Sequence, residues 1–322
     1  MMGVFGLIAP FFALIGLGFL ASRLHPQPPA ATVWLSFFVV YVALPALFVQ
    51  LLMKTPVGEL AHPAFVGATT LATFLMFLAG YVLRRRRGRV GTAEATIDGL
   101  ASAYGNIGYM GPGLAIAAFG PGAAVPVALV FCFDNTLHFA LAPLMMALSG
   151  ERRESPARLA LTVLKRILGH PFIIATIVGL SLAVMRVELP EPVSRLVAIL
   201  AGAAAPCALF LMGITLQSRA TSRGARAGLG AITVSKLAIH PLLAWLLLGL
   251  IGDFDPVWVK SAVLLASLPT ATNVFVIAQQ YGVEQERASA AVLVTTVASV
   301  ASVAGVLILL SSGVLPVDPF PN

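Results

Sequence analysis

A chain of 322 residues with 59% hydrophobic and only 10% charged residues lies far from the roughly 25% charged content of soluble domains. Its mean hydropathy of +0.95 excludes an ordinary soluble enzyme. The formal charge of +7 would suit nucleic acid, but the Lys and Arg residues cluster in short loops between apolar stretches, where they report membrane orientation. No nucleic-acid partner is expected.

Cys132 and Cys207 both fall inside apolar stretches, so neither a disulfide framework nor a thiolate metal site is suggested, and no cofactor is expected. The chain reads as an all-α polytopic membrane protein whose environment is a lipid bilayer. Apolar runs of about 20 residues, the length a helix needs to cross a bilayer, place ten spans near 3–21, 34–53, 63–83, 94–119, 123–149, 169–187, 193–217, 227–251, 257–281 and 287–312. Span 1 lacks the basic start of a signal peptide and is longer than its apolar core, so it is expected to be retained.

Sorting the basic residues by side fixes an expected orientation. Loops after odd-numbered spans carry Arg23, the five arginines of 84–89, Arg152, Arg153, Arg158, Lys165, Arg166, Arg219, Arg223, Arg226 and Arg287; the other side has only Lys54, Arg186 and Arg195. Fifteen against three places the 150–168 loop in the cytoplasm and both termini outside a cell (inner) membrane.

The second half of the chain slides onto the first. At a shift of 161, Pro10-Phe11 falls on Pro171-Phe172, Gly18 on Gly179 and Pro45 on Pro206; at 162, Phe119-Gly120 falls on Tyr281-Gly282. Five spans per half is an odd number, so the second half enters from the opposite side and the repeat is inverted. The expected organisation is a five-helix repeat over 1–149, a cytoplasmic linker over 150–168 and its inverted counterpart over 169–322.

Two spans are unsuited to a continuous helix in lipid. Residues 268–282 (LPTATNVFVIAQQYG) place Pro269, Thr270, Thr272 and Asn273 in span 9, and residues 104–113 (YGNIGYMGPG) place four glycines, Asn106 and Pro112 in span 4. Proline removes a backbone donor, and freed backbone groups at membrane depth must face protein or a cavity. Paired interruptions in corresponding spans mark the substrate site of many secondary transporters, although small residues also serve close helix packing.

Ionisable residues inside spans are costly, and each needs a partner or a task. Asp134, Asn135 and His138 share one face of span 5 as a candidate proton-coupling cluster or a satisfied packing pair. Asp98, just inside span 4, is read as a gate or as a carboxylate complementing the helix dipole. Lys236 forms an i,i+4 pair with His240 and is a candidate ion-pair partner for Asp98 or Asp134.

At these residues the sequence resembles the auxin efflux carrier family, and the resemblance covers essentially the whole chain. It implies ten spans in a five-plus-five repeat, with spans 4 and 9 interrupted and crossing near the membrane centre. It further implies that Asn106, Ile107, Pro112, Pro269, Thr270 and Asn273 line the site. Spans 1, 2, 6 and 7 would form a scaffold and dimer contact, with spans 3–5 and 8–10 moving as an elevator. The long cytoplasmic insertion of plant members is missing, which argues against auxin as substrate.

The chemistry of such a crossover favours an anion, because half-helix N-termini carry about +0.5 of an elementary charge. The expected substrate is a small mono- or dicarboxylate, with H⁺ or Na⁺ as candidate coupling ions. A cation/proton antiporter and a non-transporting membrane sensor are the alternatives. No Walker-type loop, Gly-x-Ser-x-Gly elbow or His-Glu-x-x-His pair is present, so enzymatic chemistry is not expected.

Overall fold

The computed structural model describes residues 2–26, 29–53, 62–88, 90–150, 171–219 and 228–312, with scattered positions between 155 and 169 and at 316 and 319. Lys54, Arg89, Arg152, Arg153, Arg166, Arg223 and Arg226 lie outside the described residues, as does most of the 150–168 linker. Every extended regular element among the described residues is helical.

Helix α1 (Met2–Leu24) precedes α2 (Pro29–Phe38), which passes through a π-helical turn at Val39–Ala43 into α3 (Leu44–Leu52). Proline explains that turn. Pro45 has no N–H to return to the preceding turn, and its ring crowds the carbonyl four residues back, so the ladder widens and Leu44 N–H reaches Val39 O instead. The same device recurs where α10 (Leu229–Val234) passes through Ser235–Ile239 into α11 (His240–Ile251), with Pro241 in its first turn.

Between these lie α4 (Pro63–Gly88), α5 (Thr92–Ala103), α6 (Gly111–Phe119), α7 (Ala124–Leu148), α8 (Pro171–Val184) and α9 (Glu191–Arg219). The chain ends through α12 (Pro256–Ser267), α13 (Thr272–Tyr281) and α14 (Gln285–Ser311).

Six helical stretches among the described residues are long and apolar enough to cross a membrane: Thr32–Leu52, Pro63–Arg87, Pro121–Leu148, Glu191–Gln217, Leu229–Ile251 and Gln285–Ser311. They coincide with expected spans 2, 3, 5, 7, 8 and 10. Spans 4 and 9 yield no such helix because each is split, into α5 plus α6 and into α12 plus α13. Spans 1 and 6 appear as the shorter apolar stretches Ala9–Leu24 and Ile173–Val184.

Packing sorts the helices into two groups. In one, α1 lies along α9, and α3 is held between α8 and α9; in the other, α4 packs on α5, α7 and α11, while α14 packs on α12 and α13. Glycine permits the closest approaches. A Cβ on Gly18 of α1 would run into the backbone of Phe210, and one on Gly213 of α9 into the backbone of Ile15. Gly179 of α8, on which Gly18 falls at a shift of 161, plays the same part against α3, where a Cβ would stand 3.0 Å from that of Leu52. Gly120 and Gly282, which coincide at a shift of 162, end α6 and α13 at φ +82° and +73°, a region that only glycine enters freely.

Gly213→Ala should therefore lower the thermal stability of the purified protein, by about 1–3 kcal/mol for an overpacked contact. Gly202→Ala, on the same helix with open space around its Cα, should leave the melting temperature unchanged. Equal melting temperatures for the two variants would refute the close-approach reading.

Candidate functional site

The two interruptions meet. Pro269 disfavours a helical conformation at the residue before it, and α12 duly stops at Ser267 with Leu268 extended at φ −65°, ψ 151°. On the other side α5 stops at Ala103, and Tyr104 turns extended at φ −74°, ψ 99°. The short extended pieces then pair as an antiparallel bridge between Gly105 and Thr270. Asn106 N–H donates to Pro269 O at 2.7 Å and Ala271 N–H to Tyr104 O at 2.8 Å.

Thr270 closes the remaining gaps. Its hydroxyl donates to Ala101 O at 2.7 Å, satisfying a carbonyl that the end of α5 leaves open, and its N–H donates to the Thr295 hydroxyl at 3.1 Å. The glycines between the halves are spacers. A Cβ on Gly108 would stand 2.9 Å from the Phe131 ring, one on Gly111 would stand 2.6 Å from Leu265, and one on Gly113 would touch Phe11 and Ala205.

A small cavity of about 60 Å³ opens beside the bridge. Its floor is the stretch from Tyr104 to Tyr109 and one wall is the start of α13 at Ala271, Thr272 and Asn273; Phe131, Asn135 and Val40 complete it. Among the described residues, no charged side chain lines it. Thr272 and Asn273 open α13, so their N–H groups have no intrahelical acceptor and present the positive end of the helix.

The carboxamides are held in place. Asn273 Nδ2 donates to the Tyr104 hydroxyl at 2.9 Å, and that hydroxyl donates in turn to Asn135 Oδ1 at close range. Asn135 Nδ2 is anchored on Phe131 O at 2.7 Å, and the Tyr104 ring stacks on His138 at 4.0 Å between centroids. Asn106 Nδ2 reaches Met212 Sδ of α9 at 3.1 Å.

The opposite side of the bridge carries charge. Lys236, fully buried, donates from Nζ to Ala266 O in the last turn of α12 at 2.5 Å, and lies 3.1 Å from His240 Nδ1. A cation at a helix C-terminus complements the dipole there. The Thr73 hydroxyl donates to Asp134 Oδ2 at 2.9 Å and lies 3.3 Å from His240 Nε2. One set of donors satisfies the line: Lys236 to His240 Nδ1, His240 Nε2–H to Thr73, Thr73 to Asp134. Asp134 Oδ1 and His138 Nε2 are buried without a hydrogen-bond partner among the described residues.

Of the six expected lining residues, Asn106, Ile107 and Asn273 face the cavity. Pro112, Pro269 and Thr270 build the interruptions instead. Asp134 and His138 do not pair through their side chains, since His138 Nδ1 meets the Asp134 backbone carbonyl at 2.6 Å. Of the two candidate partners for Lys236, Asp98 is not one it meets. Asp98 is taken by Arg287, whose Nε and Nη2 reach its two oxygens at 2.5 and 2.7 Å, with Arg84 Nε at 3.7 Å. Arg287, counted above as a loop charge, is a buried partner at the start of α14. Tyr104, Thr73 and Met212 were missed; Tyr104 at least begins the glycine-rich stretch and could have been included for its hydroxyl.

A family model described as membrane transport protein matches residues 3–307. A curated relative from Rhizobium meliloti (strain 1021), named "Putative malonate transporter", is 55% identical over 320 residues, covering 98% of each chain.

Tyr104→Phe removes the hydroxyl shared by Asn273 and Asn135 and should cost about 1–3 kcal/mol through unpaired buried amides, seen as a lower melting temperature. Arg287→Ala leaves Asp98 buried beside only the more distant Arg84, and should cost about 3–5 kcal/mol. The Asp98→Ala/Arg287→Ala double variant should then be more stable than the Arg287→Ala single variant, and the reverse order would exclude a buried pair.

Proposed function

This chain belongs to the membrane transport protein family, that of the auxin efflux carriers, and we propose that it moves a small carboxylate, malonate or a close analogue, across the cell (inner) membrane. The observation that carries this reading is the cavity at the two breaks. Amide donors from both interruptions, Asn106 and Asn273, converge there with the open N–H groups of α13, and no acidic side chain faces them. Such a site attracts a carboxylate through dipoles and amides and repels no anion. The name of the Rhizobium relative agrees with it.

The architecture we propose is ten spans in two inverted halves of five, with both termini outside. Equivalent glycines at equivalent contacts, Gly18 with Gly179 and Gly120 with Gly282, support the repeat. The group formed by α1–α3, α8 and α9 serves as scaffold and dimer contact, and the remaining helices carry the site as one unit in an elevator movement. Their mutual packing, with Asp98–Arg287 and the Gly105–Thr270 bridge both inside the second group, suits a body that moves without breaking its own polar bonds.

Coupling to H⁺ is assigned to the line Asp134–Thr73–His240–Lys236. Protonation of Asp134 or loss of the Lys236 proton would alter the charge behind the bridge, and the open Asp134 Oδ1 offers a place for a proton. Na⁺ is the competing coupling ion. These buried charges also suit a cation/proton antiporter, but none of them lines the cavity.

In proteoliposomes the purified protein should take up radiolabelled malonate in exchange for internal malonate. Asn106→Ala and Asn273→Ala should each raise KM about ten-fold or more, the range for a lost hydrogen bond to a charged group. Asp134→Asn should retain exchange but lose its response to an imposed proton gradient. Cation-driven proton movement with no carboxylate flux would replace this reading with the antiporter.

A further inference from the structure

Asn106 is bonded across the boundary between the two helix groups. Its backbone N–H belongs to the bridge, yet its side-chain amide donates to Met212 Sδ on α9 at 3.1 Å, and both residues are buried. Around Met212 the same helix carries the apolar Ala208, Leu209 and Leu216, while the Thr215 hydroxyl one turn on is directed to its own backbone, donating to Leu211 O at 2.9 Å, and the thioether is the α9 atom that the amide meets. The fit is close because Gly113, at the start of α6, has no side chain to hold off Phe11 and Ala205.

A thioether is a weak hydrogen-bond acceptor and a carboxylate a strong one. The Asn106–Met212 contact therefore holds the carboxamide at the edge of the cavity while binding it less tightly than an anion would. We infer that Met212 is a positioning residue for anion recognition: it orients the Asn106 amide in the empty carrier and yields it to the substrate carboxylate, so the acceptor strength at position 212 sets the affinity. This rests on the carboxylate reading of the cavity.

The inference fixes opposite signs for two substitutions of similar size. Met212→Leu conserves volume but offers no acceptor, so the empty site keeps an unpaired amide and malonate should bind about three- to ten-fold more tightly. Met212→Gln supplies a strong carbonyl acceptor that competes with substrate, and malonate should bind about ten-fold more weakly. The readout is the malonate Kd of the purified full chain by calorimetry, with KM and kcat from exchange in proteoliposomes.

Loss of packing alone would weaken binding or lower stability in both variants and would not produce opposite shifts. Kd values that move in the same direction, or that do not move, would overturn the role of Met212 while wild-type malonate binding stands. Absence of binding and uptake for the wild type across a panel of small mono- and dicarboxylates would overturn the carboxylate reading, and this inference with it. Should the Gln variant fail to fold, the Leu variant decides by itself, since an unchanged or raised Kd refutes the proposal.

Discussion

The structure depends on the need to satisfy backbone polar groups where no water reaches. Interrupting one helix at membrane depth strands N–H and C=O groups at a cost of several kcal/mol each. Here one interruption supplies the partners of the other: Asn106 N–H meets Pro269 O, Ala271 N–H meets Tyr104 O, and Thr270 caps Ala101 O. Neither break has an adequate partner in its own helix. Pro269 thus has its effect through two spans at once, ending α12 and offering the carbonyl on which the span 4 break closes.

That arrangement also separates the charges. Each broken helix brings one C-terminal end and one N-terminal start to the bridge, so positive and negative dipole ends lie within a few residues of each other. On the side where α13 begins, the chain places uncharged amides and open space. On the side where α12 ends, it places Lys236, with Asp134 further along the same hydrogen-bonded line. Two features follow from one break: a neutral, donor-rich recess that suits the anion proposed for it, and a buried pair of ionisable groups behind it. Gly105 joins the two sides, since a Cβ there would stand 3.2 Å from Lys236 Nζ.

Much of this was legible in the sequence because membrane depth makes the exceptions conspicuous. Proline, asparagine and threonine inside apolar runs located both breaks, and the charge of Asp134 and Lys236 marked them as needing partners. What could not be read was which partners they take. Asp98 and Arg287 are 189 residues apart, and nothing local distinguishes Arg287 from the loop arginines with which it was counted. Thr73 and Met212 look like ordinary members of apolar spans, and their roles exist only because a neighbouring helix presents a histidine, an aspartate or an amide to them. Pro112 and Thr270 were correctly placed at the breaks, but whether a break residue faces the cavity or the bridge depends on the turn geometry, which composition does not encode.

The proposed repeat also has a point where its symmetry stops. Gly18 and Gly179, Gly120 and Gly282 keep equivalent tasks in close approach and helix termination. The amides do not. A shift of 162 carries Asn106 onto Leu268 and brings Asn273 back onto Gly111, so neither site asparagine has an amide counterpart in the other half. In the proposed repeat, duplicated geometry supplies the two breaks and their mutual bonding, while the chemistry in the recess belongs to each half separately. Two halves proposed to be inverted copies, but with unlike side chains, have no reason to hold a ligand equally well facing either side. Met212 reinforces this asymmetry: it pins one of the two asparagines to the other helix group and leaves Asn273 bonded within its own, so of the two only the span 4 amide would register the movement proposed between the groups.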